Sequence, residues 1–186
     1  MPSPVGHILG GTIVYLAGTS EQRYRSGWVL MTALLGSIAP DIDFLPGLFI
    51  GDMRAFHHGI THSIAFALAF GALVFVVARR YDQAIARRSA LLAALGCASH
   101  VILDFVSVRA GTRGVPLLWP YSTELFGFSL QLFGDFRYGD ISEGIWSVVR
   151  WANVSPLLRE LLILGGAVIA LLWKRRLPLL RSDTQQ

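Results

Sequence analysis

The chain is poor in charge and nearly devoid of cysteine. Asp, Glu, Lys and Arg make up 15% of it against 53% hydrophobic residues, and its mean hydropathy is +0.53. That balance excludes an ordinary soluble globule and indicates an integral membrane protein. With Cys97 as the single cysteine, no internal disulfide can form; lying inside an apolar segment, it reads as a small buried hydrophobe. No His-Glu-x-x-His stretch occurs, which argues against an intramembrane metalloprotease of that type. No Lys or Arg precedes Arg23, so the start lacks the basic region of a secretory signal and is expected to remain as an anchor. The net charge of +4 does not imply nucleic acid, because the basic residues cluster beside apolar spans, where topology explains them.

What the chain has in abundance is apolar runs. Residues 60–78 carry no Asp, Glu, Lys or Arg and only His62 near their start, enough to cross ~30 Å of hydrocarbon at ~1.5 Å per helical residue. Further runs cover residues 5–18, 27–39, 89–108 and 161–173, the last extendable back to Leu157. The first two are short and are expected to tilt, to thin the bilayer or to form half-buried hairpin helices. The expected fold is all-α and polytopic: a single domain over residues 1–186 with about five membrane-embedded helices.

If all five cross, one side receives Arg23, Arg25, Arg79, Arg80, Arg87, Arg88, Lys174, Arg175, Arg176 and Arg181, ten of the sixteen basic residues. The other receives Arg54, Arg109, Arg113, Arg137, Arg150 and Arg159 over longer connections. The positive-inside rule then puts the C-terminus and the 79–88 loop in the cytoplasm and the N-terminus outside.

Eight ionisable residues stand where apolar runs begin or end: His7, Asp41, Asp43, His57, His58, His62, His100 and Asp104. Such groups are costly near lipid unless paired or bound. Under the threading above all eight converge on the extracytoplasmic face. The threading used only Lys and Arg, so the convergence is independent of it.

His100 and Asp104 are four apart and share one helical face in an otherwise apolar stretch. They can chelate one ion, or the carboxylate can orient the imidazole, or the pair can simply join helices by a hydrogen bond. Asp41 and Asp43 follow Pro40, where an apolar helix is expected to stop, so they are expected to begin a surface loop. There they bridge cations or serve as turn residues. His57, His58 and His62 place three of the chain's five histidines just before the cleanest span, as metal ligands or as a pH-sensing cluster. Thr61 or Ser63 is expected to cap that helix or to support a ligand. His7 is weak alone and gains weight from its matching height. Histidines mixed with carboxylates suit Zn or Mn better than Mg or Ca, and seven plausible ligands raise the prospect of two ions.

Residues 109–155 form a long connection rich in aromatics, with Trp119, Tyr121, Phe126, Phe128, Phe133, Phe136, Tyr138, Trp146 and Trp151. It is expected to lie like a lid at the outer headgroup level. Arg109 or Arg113 there is a candidate for facing a phosphate, beside the commoner role of snorkelling to headgroups.

Taken together, Gly6-His7, Pro40-Asp41-Ile42-Asp43, His57-His58-Gly59-Ile60-Thr61-His62-Ser63, Ser99-His100-Val101-Ile102-Leu103-Asp104 and Gly114-Val115-Pro116-Leu117-Leu118-Trp119-Pro120 resemble the YdjM-type family of membrane-bound, metal-dependent hydrolases. The motifs cover about the first two thirds of the chain in the family's order. The resemblance favours His57 and His62 over His58, whose place a basic residue usually takes in the family. It also marks Phe44 as standing where relatives often carry another His, and the stretch between Asp104 and Gly114 as longer than usual. More distantly, the helical His-x-x-x-Asp is similar to the all-helical zinc-dependent phospholipase C and single-strand nuclease group, which suggests phosphoester hydrolysis by analogy.

The expected function is hydrolysis of a lipid-linked or amphiphilic ester, a phosphoester first, in the inner (cell) membrane at a site facing outward. The expected metal ligands are His7, Asp41, Asp43, His57, His62, His100 and Asp104. The metal would activate a water and polarise the phosphoryl oxygen, with Asp43 or Asp104 as general base. The competing classes are a divalent cation or proton transporter and a non-catalytic scaffold whose metal clamps helices together. Transport would need a second polar cluster near the cytoplasmic ends.

Overall fold

Four short polar side chains start four helices. Ser3 Oγ accepts from Gly6 N at 3.2 Å, Ser26 Oγ from Val29 N at 3.3 Å, Ser63 Oγ from Phe66 N at 3.2 Å and Asp82 Oδ1 from Ile85 N at 2.8 Å. Each satisfies a backbone N–H that the first turn leaves open, a contribution of about 1 kcal/mol. In the computed structural model, which describes residues 1–52, 55–108, 114–128, 132–134, 136–137 and 149–183, the helices are α1 (Pro4–Gly18), α2 (Gly27–Ile38), α3 (Phe44–Ile50), α4 (Ile64–Ala78), α5 (Gln83–Phe105), α6 (Val154–Glu160) and α7 (Gly166–Asp183). Among the described residues there is no strand, only an isolated bridge between Val115 and Phe126. The chain is an all-α protein of the membrane type.

Three apolar stretches are long enough to span a bilayer: Gly27–Gly47 with 21 residues, Gln83–Phe105 with 23 and Trp151–Arg176 with 26. Two helices differ most clearly from the runs read in the sequence. The helix after Gly27 does not stop at Pro40; it tightens into a 3-10 turn over Ala39–Asp43 and passes into α3. Pro40 sits in the first turn of that segment, where a missing N–H breaks nothing. Asp41 and Asp43 therefore lie on a helical turn rather than in a loop. Conversely, the expected 60–78 span yields only a 15-residue helix. Ser63 caps it, and Ile60–His62 form a separate 3-10 turn ahead of it. α1 is also 15 residues long, about 22 Å, short of the ~30 Å core.

α5 is the central helix, packed by α1, α2 and α4 through small residues. A Cβ on Gly36 of α2 would collide with the backbone oxygen of Ala93, one on Gly96 would stand 2.5 Å from Ala33 O, and one on Gly71 of α4 would stand 2.9 Å from Ala90 O. Bare backbone at the crossings lets helices approach where apolar burial itself gains little against lipid. Leu92 of α5 is fully buried with Val29 and Ala33, while Leu103 packs with Phe133 and Leu164. Large apolar side chains elsewhere face outward, among them Leu68, Ile102, Leu162 and Ile169.

The bundle has two unlike ends. At one, Arg25 and Arg175 donate to backbone oxygens at the end of α1, and Tyr24 lies between the guanidinium groups of Arg23 and Arg88, each 4.6 Å from its ring. At the other, the start of α1, the end of α2, the approach to α4, the end of α5 and the start of α6 come together. The described parts of the 109–155 connection tie into this second end: Leu117 O accepts from Ile64 N, Phe105 O from Phe128 N, and Met1 O from Phe136 N. Tyr121 and Trp151 of that connection are almost wholly exposed, whereas Phe133 is buried in the core. Arg109, Arg113, Tyr138 and Trp146 lie outside the described residues.

Candidate metal centre

Asp104 is the hub. Placed one turn after His100 on α5, its Oδ2 lies 3.2 Å from His100 Nε2 and 3.3 Å from His62 Nε2, which are themselves 3.2 Å apart. All three side chains are fully buried. His7 from α1 stacks on the His100 ring at 3.6 Å and brings its Nε2 to 3.8 Å from Asp104 Oδ1. Asp41 Oδ1 stands 3.4 Å from His100 Nε2 and 3.9 Å from His62 Nε2. Five residues from four separate stretches of chain thus direct imidazole nitrogens and carboxylate oxygens at one small volume.

The outer sides of the two central rings are fixed. His100 Nδ1 is 2.7 Å from the carbonyl oxygen of Ser37 and so carries a proton that it donates there. His62 Nδ1 is 3.1 Å from Asp43 Oδ2. Each ring therefore presents its Nε2 lone pair inward, the tautomer a metal ligand needs, held by a carbonyl or carboxylate behind it. Asp43 does more than hold His62. Its Oδ2 also accepts from Gly59 N at 3.1 Å and Thr61 Oγ1 at 3.0 Å, and its Oδ1 faces His57 Nδ1 at 3.1 Å. Both of its oxygens are thus engaged, with His57 and His62 one on each side.

His57 occupies an outer position: its ring stacks on Phe44 at 4.1 Å and its Nε2 lies 2.9 Å from Met1 Sδ. Its Nδ1 remains close enough to Asp41 and Asp43 for the three to form a second, adjoining donor group. Asp41 belongs to both groups.

Four buried atoms at the centre close no hydrogen bond of good geometry among the described residues: His7 Nδ1, Asp41 Oδ1 and both oxygens of Asp104. Leaving such groups without a partner costs about 1–3 kcal/mol each, more for a charge. A cation would satisfy several of them together, and the donor set mixes imidazole nitrogen with carboxylate oxygen, groups that could hold a metal ion. The residues fit a divalent metal. His62 precedes α4 rather than lying within it. Burial opposes charge on its ring, but the adjacent carboxylates of Asp104 and Asp43 outweigh that and raise its pKa.

The structure brings together all seven residues expected as ligands. It adds two outside that set: His58, which the sequence ranks behind His57 and His62, and Glu160, which the sequence does not single out. His58, with φ of +63°, turns its ring inward so that Nε2 is 3.7 Å from Asp104 Oδ2. Glu160, fully buried at the end of α6, accepts from Ser3 N at 2.7 Å and from the Ser3 hydroxyl. Because Ser3 caps α1 and its carbonyl accepts from His7 N at 3.2 Å, Glu160 fixes the turn that carries His7.

Comparison with known proteins agrees with this architecture. A family model described as YdjM inner membrane protein matches residues 1–177. The inner membrane protein YbcI of Escherichia coli (strain K12) is 35% identical over 101 residues, covering 53% of this chain and 57% of that protein. The chain thus spans little more than half the length of that relative. No solved structure matches it significantly.

Proposed function

The chain belongs to the YdjM inner membrane protein family, and we propose that it is a membrane-bound, metal-dependent hydrolase acting on a lipid-linked or amphiphilic phosphoester. The observation that carries this reading is the buried triangle of His62 Nε2, His100 Nε2 and Asp104 Oδ2, each side no longer than 3.3 Å, with the rings locked from behind by Asp43 and Ser37. Together with His7 and Asp41 it offers a first coordination sphere for Zn or Mn, and the group of Asp41, Asp43 and His57 offers a place for a second ion.

A bound divalent cation supplies Lewis acidity, lowering the pKa of water and polarising a phosphoryl oxygen. The chain supplies the rest. His62, His100 and Asp104 define where the reacting phosphorus must sit. Asp43, in contact with His57, Gly59, Thr61 and His62, orients rings. Asp104 Oδ1, which closes no hydrogen bond, is the base that takes the proton of the attacking water; the new bond is water oxygen to phosphorus, the broken bond is phosphorus to ester oxygen, and the leaving alcohol recovers the proton. Asp41 differs from the other central groups in that its side chain is 24% exposed. Water and substrate have an approach there, which argues for an open catalytic site over a closed structural clamp. The cluster at one end, with arginines at the other, supports an outward-facing site and a cytoplasmic C-terminus under the positive-inside rule.

The test is phosphate release from a panel of phosphatidic acids and polyprenyl phosphates by detergent-purified protein loaded with Zn or Mn. Turnover abolished by Asp104→Ala is the expected result. Stoichiometric metal without turnover on any member of the panel would instead make the centre a scaffold.

A further inference from the structure

A groove of about 350 Å³ runs along the outer surface where α2 faces the start of α1. Its wall is a helical stripe of α2 that includes Gly27, Met31, Leu34 and Ile38, closed on the α1 side by Ile8. The lining is apolar throughout. Ile8, Met31 and Ile38 are each more than 40% exposed, so the groove opens sideways into the space occupied by lipid.

Its upper end adjoins the metal centre through the chain itself. Ile8 follows His7, whose ring stacks on His100. Ile38 follows Ser37, whose carbonyl holds the His100 ring, and precedes Asp41 by three residues. From there the stripe descends to Gly27, roughly 17 Å at the helical rise, more than half of the ~30 Å hydrocarbon thickness. A polar, cation-binding head and an apolar track of that length form the complement of one amphiphile.

We propose that this groove seats the hydrocarbon tail of the lipid substrate whose phosphate is presented to the metal centre, a proposal that rests on the hydrolase reading above. Moving a tail from bilayer to groove gains little hydrophobic energy, since lipid is already apolar. What the groove contributes is packing and direction: a tail laid along α2 holds its headgroup at the level of Ile8 and Ile38, beside His7 and Asp41. Fixing the reacting group in this way is the usual use of binding energy remote from the chemistry.

The experiment uses full-length, Zn-loaded protein in nanodiscs containing a phosphatidic acid with a diazirine in its acyl chain. Photolabelled residues are mapped by mass spectrometry, and phosphate release from the same lipid is assayed separately. The expected result is labelling concentrated on the 31–38 stripe of α2 and on Ile8. Met31→Trp, which fills the middle of the groove from its exposed rim, is expected to cut that labelling at least tenfold. Leu68→Trp, on the outer face of α4, is expected to leave it unchanged. Gly27→Phe is a second obstruction, at a position where a Cβ meets nothing within 4 Å; it is expected to remove labelling by probes whose diazirine lies near the tail end. Labelling spread evenly over all outward faces, or indifferent to Met31→Trp, overturns the proposal even if phosphate is released. Stripe labelling without phosphate release leaves the tail site standing and removes the hydrolase reading instead.

Discussion

His62 Nε2 and His100 Nε2 stand 3.2 Å apart with Asp104 Oδ2 within 3.3 Å of both. Two inward nitrogens with their protons committed on the far side cannot hydrogen-bond to each other; they need a proton or a cation between them. The two compete. Because the carboxylates around His62 raise its pKa, the metal-free protein keeps a proton there to higher pH than a free imidazole would. Metal must displace that proton, so apparent affinity falls as pH falls, by about tenfold per pH unit for each proton displaced. Zinc titrations against a chelating dye at pH 8, 7 and 6 measure this. Affinity independent of pH would show that these rings are not ligands.

Asp43 acts on the centre from behind. Asp43→Asn keeps the size of the side chain but weakens its grip on His62 and His57, so metal affinity is expected to drop about 10–100-fold with the protein still folded. Thr61→Val, which removes one donor to Asp43, is expected to fall between that and wild type. Chelator competition reads both. An Asp43→Asn protein with wild-type affinity would mean the ring positions do not depend on this carboxylate.

The small-residue crossings make opposite predictions for two glycines of one helix. Gly36→Val pushes side-chain carbons into the backbone of Ala93 and is expected to destabilise by about 1–3 kcal/mol or more. Gly27→Ala meets only open space and is expected to be neutral or to stabilise by up to about 1 kcal/mol through helix propensity. Thermal unfolding in detergent compares them directly.

Sidedness is testable with two exposed tyrosines. Tyr121, 97% exposed, belongs to the metal-centre end, and Tyr81, 87% exposed, to the arginine-rich end. In spheroplasts a membrane-impermeant maleimide is expected to label Tyr121→Cys directly and Tyr81→Cys only after lysis. The buried native Cys97 keeps background low. The reverse pattern would turn the centre toward the cytoplasm.

Much of the site was readable because its parts are local. His100 and Asp104 meet through a helical i,i+4 relation, Ser63 caps α4 as a hydroxyl ahead of an apolar run does, and the asymmetric spread of arginines separates the two ends. What was not readable depends on distant or conformational partners. Nothing in the sequence marks Glu160, because its partner, Ser3, is 157 positions away. His58 reaches Asp104 only because its backbone takes a left-handed turn, which few non-glycine residues adopt. Pro40 announced a helix end, but a proline opening a 3-10 segment needs no N–H, so the chain runs on and sets Asp41 and Asp43 on one rigid turn.

The most direct measurement is metal content by elemental analysis of detergent-purified protein, wild type beside His62→Ala and Asp104→Ala, each dialysed against a weak chelator. One or two equivalents of Zn or Mn in wild type, and loss of at least one equivalent in both variants with folding intact, is the predicted result. Metal content that is the same in all three proteins would contradict a shared centre built from these side chains.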